Sequence, residues 1–394
     1  MKRLLRISLD TLLMSTLPII MWVLLGIIIS KEITNVFTLT YPIQFVTTLL
    51  VSIFGTGANV NARKNDKVNL VDSNIILGTI VGFIITLFLC FKVDSYIVFM
   101  SMEIDTYKNF CIYSFILMYL QMVLQLICQK LYYMEENKKS NKLTIGFNIL
   151  NIILIVLVSC ISRNQVISIT LTIFIDIIVL IVIFIRNVKQ FYIKFEVIKN
   201  MQYVSNDILD RLGMFVIYFI GFKNTLEYGE IFLTAINFET LITDTQWDMS
   251  YSILTAATID SSKDKLRYKE SVKNSYKLIA LLIISILVMG VSLYFYYKPV
   301  LWIIAIIVGV QILDLILIPT IWIKQQYCQI NYSPKKNTFH EGVTKIFRII
   351  TSFLPTPFCT YIGQILSTIY QIIIFGIVYR KKYYIDDDDL LKMK

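Results

Sequence analysis

Several carboxylates stand where a membrane-spanning chain would be expected to place apolar side chains. Asp176 interrupts the run Ile173-Phe174-Ile175-Asp176-Ile177-Ile178, and Asp314 lies in another apolar run, three residues after Gln311. Glu239, Asp244 and Asp248 share a third. A charge at the centre of a bilayer costs roughly 2.5–3.5 kcal/mol on insertion scales, so such residues need a reason to be there. A buried carboxylate can take up a proton, hold a sodium ion or pair with a cationic substrate, and two on one face repel unless a cation or proton intervenes.

The stretch around Asp244 carries the richest pattern. At helical spacing Asn237, Asp244, Asp248, Tyr251 and Thr255 fall within about 40° of one line, with Glu239 well off it and nearer the mouth. A continuous polar seam on a membrane helix faces protein or water, never lipid. Two readings of it are open: a buried helix–helix contact, or the wall of a water-filled cavity that binds a cationic group or coupling ions. A milder seam, Tyr41, Gln44 and Thr48, lies near the N-terminus, and Gln121 and Gln125 can join it as cavity lining. Each of these alone also fits an ordinary interhelical hydrogen bond. Asp207 and Arg211, at i, i+4, read as a local ion pair.

The elements that must position these groups follow from composition. Apolar residues make up 56% of the 394, charged residues 16%, and the mean hydropathy is +0.68. Soluble domains carry about 25% charged residues. Repeated apolar stretches reach the roughly 18–25 residues a helix needs to cross the hydrocarbon. The expected spans are Leu12–Ser30, Val36–Asn59, Ile75–Phe91, Asn109–Cys128, Leu143–Ile161, Gln165–Ile185, Asp207–Phe222, Glu230–Thr258, Leu278–Tyr296, Val300–Ile323, Gly342–Leu354 and Tyr361–Tyr379. Pro355 and Pro357 cut the eleventh short. The first lacks a cleavage site and is too long for a signal peptide.

The charges agree with this count. Of the 37 basic residues, about 30 lie at the two ends and in the loops near Arg63–Lys67, Lys130–Lys142, Arg186–Lys199, Lys263–Lys277 and Lys324–Arg348. The intervening loops hold Lys31, Lys92, Lys108, Arg163, Lys223 and Lys298. Under the positive-inside rule this predicts twelve spans in the plasma membrane with both termini cytoplasmic. The net charge of +10 therefore belongs to alternate loops rather than to a nucleic-acid-binding face. The cysteines, Cys90, Cys111, Cys128, Cys160, Cys328 and Cys359, lack C-x-x-C spacing and read mostly as small hydrophobes. His340, the single histidine, falls in a polar loop, so no histidine-ligated metal is expected.

An internal echo divides the chain. Thr56-Gly57-Ala58-Asn59 precedes Asn65-Asp66-Lys67, and Thr255-Ala256-Ala257-Thr258 precedes Lys263-Asp264-Lys265, with Asp66 and Asp264 198 residues apart. Asp10 finds Asp207 and Asp210 at nearly that offset. The expected fold is an all-α polytopic membrane protein of about twelve transmembrane helices in two pseudo-symmetric six-helix bundles. Residues 1–190 form the N-terminal half, 191–204 a cytoplasmic connector, 205–382 the C-terminal half and 383–394 an acidic cytoplasmic tail.

With Pro18, the run Ile53-Phe54-Gly55-Thr56-Gly57-Ala58-Asn59 followed by Arg63 to Asp66, Asn148 and Asn151, Ala235-Ile236-Asn237 and the loop at Asp264, the chain resembles the multidrug and toxin extrusion (MATE) family. That family sits within a superfamily that also contains polysaccharide and lipid-linked oligosaccharide flippases. The resemblance implies two six-helix lobes forming a V, open outward and inward in turn, that export cationic or amphipathic molecules against proton or sodium entry. Many members carry an aspartate in the middle of the first helix, whereas Trp22 to Ile27 holds no carboxylate, and the usual glycine after the second helix is Asn65. The acidic residue of the tenth helix has its counterpart in Asp314. An ion site is accordingly expected in the second lobe.

These readings converge on a monomeric secondary transporter coupled to protons or sodium, with no resident cofactor, no metal and no nucleic-acid partner. Its partners would be the bilayer and a small-molecule or lipid-linked substrate. Substrate and ion coupling are assigned to Asp244, Asp248, Asp314, Glu239, Asn237, Tyr251 and Asp176, and the lining to Tyr41, Gln44, Thr48 and Gln121. The alternative is a flippase for a lipid-linked oligosaccharide or other cell-envelope precursor. A pyrophosphate-binding cavity calls for Arg or Lys. The basic residues inside the expected spans, Arg211, Lys345 and Arg348, all fall near a cytoplasmic end. A membrane enzyme would need a histidine, metal cluster or Ser/Lys dyad that the sequence does not display.

Overall fold

Long runs of Leu, Ile, Val and Phe without strand-type alternation must satisfy their own backbone hydrogen bonds in lipid, and helices do so within one segment. The computed structural model describes residues 20–28, 34–65, 68–134, 136–162, 164–189, 195–244, 265–317, 321–322 and 334–378. They are helical, with no strand among the described residues. Six of the described helices are long and apolar enough to span a bilayer: Asn35–Ala62, Asn69–Phe91, Ile104–Tyr133, Lys138–Ser162, Val166–Asn187 and Val272–Phe295. The molecule is a multi-pass membrane protein.

The described residues divide after Asn237 into two compact units. The first contains α1 (residues 20–28), α2 (Asn35–Val51), a π-helical turn (Ser52–Gly57) leading into α3 (Ala58–Asn65), α4 (Val68–Phe91), α5 (Val93–Phe99), α6 (Ile104–Tyr133), α7 (Asn137–Ser162), α8 (Gln165–Asn187), α9 (Val197–Tyr203), α10 (Ser205–Leu226) and the start of α11 (Glu230–Glu239). Its core joins Leu50 and Phe54 to Val71 and Ile75 of α4 and to Met122, Leu124, Leu126 and Ile127 of α6. The outer faces stay apolar, with Phe83, Ile84, Phe88 and Phe91 of α4 and Phe174, Ile178 and Ile181 of α8 exposed. Side chains of this kind need hydrocarbon as their solvent. Asn164 caps α8, its Oδ1 accepting from the amides of Val166 and Ile167 at 3.0 and 3.3 Å.

Part of the expected connector is pinned to this unit. Asn61 Nδ2 donates to Asn200 Oδ1 at 2.9 Å, and Asn200 Nδ2 donates to Asn74 Oδ1 at 2.8 Å. Asn74 Nδ2 in turn reaches the Phe195 carbonyl at 3.0 Å. The approach requires Gly57, because a β-carbon there would stand 2.7 Å from the Asn200 carbonyl oxygen. Lys130, expected in a loop, is instead buried near the end of α6, with its ammonium 2.6 Å from Asp72 and bonded to the Asn187 carbonyl at 2.6 Å. The helix runs past the apolar window because this ion pair gives the lysine a partner inside.

The second unit contains the rest of α11 and its π-helical continuation (Thr240–Asp244), α12 (Lys265–Tyr297), α13 (Leu301–Leu317), α14 (Pro334–Ser352) and α15 (Cys359–Gln371) with a π-helical end (Ile372–Val378). The eleventh expected span is corrected here. It begins at Pro334 rather than Gly342, with proline in the first turn where its missing N–H costs nothing. His340 consequently lies on a helix rather than in a loop, with its Nδ1 2.7 Å from the Tyr370 hydroxyl. Lys345 and Arg348 fall in the second half of α14 and are buried.

Candidate functional site

Four helices of the second unit converge on a buried polar cluster. Glu239, the last residue of α11, is buried. Gln311 and Asp314 lie one turn apart on α13, and Tyr361, Gln364 and Thr368 form one stripe of α15. Arg348 and Lys345 come from α14.

Hydrogen bonds run through the cluster in one chain. Glu239 accepts from Gln311 Nε2 at 3.0 Å on one oxygen and from the Tyr361 hydroxyl at 3.2 Å on the other. The two glutamines bond each other, Gln364 Nε2 donating to Gln311 Oε1 at 3.0 Å and Gln311 Nε2 to Gln364 Oε1 at 3.4 Å. Gln364 Nε2 also donates to Asp314 Oδ2 at 2.6 Å, while the Thr368 hydroxyl donates to Asp314 Oδ1. Two carboxylates are thus bridged by a pair of amides, and Asp314 is only 4% exposed. Among the described residues, Asp314 makes no direct ion pair. Neutral dipoles stabilise such a charge less than an ion does, which leaves the group able to take up a proton or a cation.

The first unit holds a smaller cluster. Asp176 of α8 is fully buried, accepts a hydrogen bond from Asn151 of α7 on Oδ2, and has no partner on Oδ1 among the described residues. Tyr113 of α6 stands beside them, its hydroxyl 3.5 Å from the Met21 sulfur and its ring edge-on to Trp22 at 5.8 Å. The sequence named Asp176 among the coupling residues and Asn151 separately, and the fold brings the two together.

The remaining candidates are placed as follows. Asn237 bonds within the first unit, accepting from Thr38 Oγ1 at 2.7 Å and donating to Asn35 and Thr34 at 3.0 and 3.2 Å. It does not share a face with Glu239, since two residues of helix turn about 200°. Tyr41 packs its ring against Tyr218 and Phe45, with centroids 5.2 and 5.3 Å apart. Gln44 and Thr48 are half-buried, Thr48 bonding the Phe45 carbonyl at 3.1 Å, and Gln121 donates to Asn148 at 3.4 Å. Asp244 ends the π-helical turn, but its side chain lies outside the described residues, as do Asp248, Tyr251 and Thr255. Tyr361, Gln364, Thr368 and Tyr113 were missed. The stripe Tyr361, Gln364, Thr368 at i, i+3, i+7 was a signal of the same kind as the seam through Asp244. Among the described residues no group of histidine, cysteine or acidic side chains could hold a metal ion.

No protein-family model and no curated protein sequence matches the chain. Solved structures do. An outward-facing multidrug resistance MATE family transporter of the MOP superfamily aligns over 96% of this chain and 95% of its own, with a TM-score of 0.68 and 14% identity. A MATE protein in complex with MaD3S aligns over 96% and 95%, with a TM-score of 0.69 and 15% identity. A MOP superfamily transporter from Pyrococcus furiosus, described by the reverse polarity of its binding pocket, aligns over 96% of both chains at 0.69 and 15%. At such identities the likeness speaks for architecture, and the chain has the fold of the MATE transporters of the MOP superfamily.

Proposed function

We propose that this protein is a secondary active transporter, an exporter of cationic or amphipathic small molecules coupled to proton or sodium entry. It has twelve spans in two pseudo-symmetric six-helix bundles and both termini in the cytoplasm, and it works as a monomer with no resident cofactor. The observation that carries this reading is the pair Glu239 and Asp314, buried together and joined by Gln311 and Gln364. Two carboxylates in a low-dielectric interior cost several kcal/mol while both stay charged without a cation. A proton or sodium ion entering from one side lowers that cost, and its departure restores it. The two occupancy states then favour different arrangements of the helices, which is the requirement for alternating access. Nothing in the cluster is arranged as a nucleophile with its base, so the reading is transport and not catalysis.

The experiment is accumulation of a fluorescent organic cation in reconstituted vesicles under an imposed proton or sodium gradient. Uphill accumulation with one of the two gradients supports the reading; mere downhill equilibration with both overturns it. The buried Lys345 and Arg348 favour the second reading, a flippase for a phosphate-bearing lipid-linked saccharide. Translocation of a fluorescent lipid-linked saccharide in the same vesicles, without accumulation of the organic cation, would establish that alternative.

A further inference from the structure

The second unit buries cations as well as carboxylates, and the two cations differ in their partners. Lys345 has a carboxylate of its own, Glu341, at 3.2 Å on the preceding turn of α14. Arg348, 8% exposed, makes no direct ion pair among the described residues, and its Nε has no hydrogen-bond partner there. An arginine cannot shed its proton, so this charge has to be offset by its surroundings.

The backbone shows where the offset comes from. Helices α14 and α15 cross at Gly363, where an added β-carbon would lie 2.9 Å from Arg348 Cα. The next residue, Gln364, is the one that donates to Asp314 at 2.6 Å. The backbone of Arg348 therefore stands one residue's width from the bonding partner of Asp314, on the element packed against it.

We propose that Arg348 is a tethered counter-cation for Asp314, offsetting the carboxylate charge while no coupling cation is bound and competing with an arriving cation for it. The proposal rests on Asp314 being a coupling carboxylate. Because the guanidinium stays beyond direct contact, the carboxylate keeps its neutral donors and remains open to a mobile ion. A direct Arg–Asp pair would close it. The residue thereby sets how tightly a cation is held: removing its charge strengthens binding and slows release.

The test uses the purified full chain and the lipophilic cation tetraphenylphosphonium, with binding measured by calorimetry. Arg348→Met, which keeps the aliphatic stem, should tighten binding by about tenfold. Arg348→Lys should stay within about twofold of the parent, and Asp314→Asn combined with Arg348→Met should lose the gain. Binding by Arg348→Met within twofold of the parent, or no binding by either, overturns the proposal. Should Arg348→Met fail to fold, the double variant must fold, because it removes both charges together; failure of both overturns it as well. Asp314→Asn alone separates the two claims: if it abolishes gradient-driven transport while Arg348→Met leaves affinity unchanged, the counter-cation fails and the exporter reading stands.

Discussion

The two units bury charge in opposite ways. In the first, Asp72 is closed by the Lys130 ammonium at 2.6 Å and further bonded by the Lys189 amide at 3.2 Å. In the second, Asp314 is surrounded by the Gln364 amide and the Thr368 hydroxyl, with Arg348 held beyond contact. A carboxylate with a permanent ionic partner is part of the framework, since nothing mobile can displace a covalently tethered ammonium in direct contact. A carboxylate bonded by neutral dipoles is stable enough to be built and unsatisfied enough to exchange a cation. Asp176, bonded by the neutral amide of Asn151 on one oxygen alone, has fewer donors than Asp314 and, among the described residues, no ion pair.

The comparison can be broken or sharpened by substitution. The largest effect on stability is expected at Lys130→Met, which strands the Asp72 charge in the interior and should cost about 3–5 kcal/mol. Thermal unfolding in detergent would register it, and adding Asp72→Asn should recover most of the loss. A Lys130→Met protein as stable as the parent would mean that this pair is no more structural than the second-unit cluster. Next is Gln364→Leu, which removes donors to both Asp314 and Gln311 and should cost about 1–3 kcal/mol. Gly363→Ala should lower the melting temperature by a similar order, because the new methyl meets the Thr351 hydroxyl and the backbone of Arg348, costing about 1–3 kcal/mol. Smallest is Thr368→Val, which deletes one of the Asp314 donors for about 1 kcal/mol and should weaken cation coupling modestly.

The helices were legible because lipid demands long apolar runs, and the expected spans from Val36 to Ile185 each fall on a described helix or continuous helical run. Boundaries set by side-chain partners were not. Lys130 reads as a loop residue until Asp72, 58 positions away, is brought beside it. His340 and the start of α14 were misplaced because that helix is polar on one side, so an apolar window detects only its second half. Asp314 and Gln311 could be found from their i, i+3 spacing in an apolar run. Their union with Glu239 and Gln364 could not, because it depends on how α11, α13 and α15 pack. Asn237 and Glu239 show the converse: helical spacing alone set Glu239 off the line through Asn237, and the two bond to different partners.

The central claim is that the Glu239–Asp314 cluster takes up the coupling cation. The most direct measurement is gradient-driven accumulation of an organic cation in vesicles containing the Glu239→Gln, Asp314→Asn double variant. Both substitutions keep size while removing charge, and the amide nitrogen each introduces can donate to the hydroxyl of Tyr361 or Thr368, so the protein should fold and insert as the parent does. The account predicts at least about a hundredfold loss of uphill transport, since two charge-dependent contacts to the ion are removed. Uphill accumulation at the parental rate would contradict it.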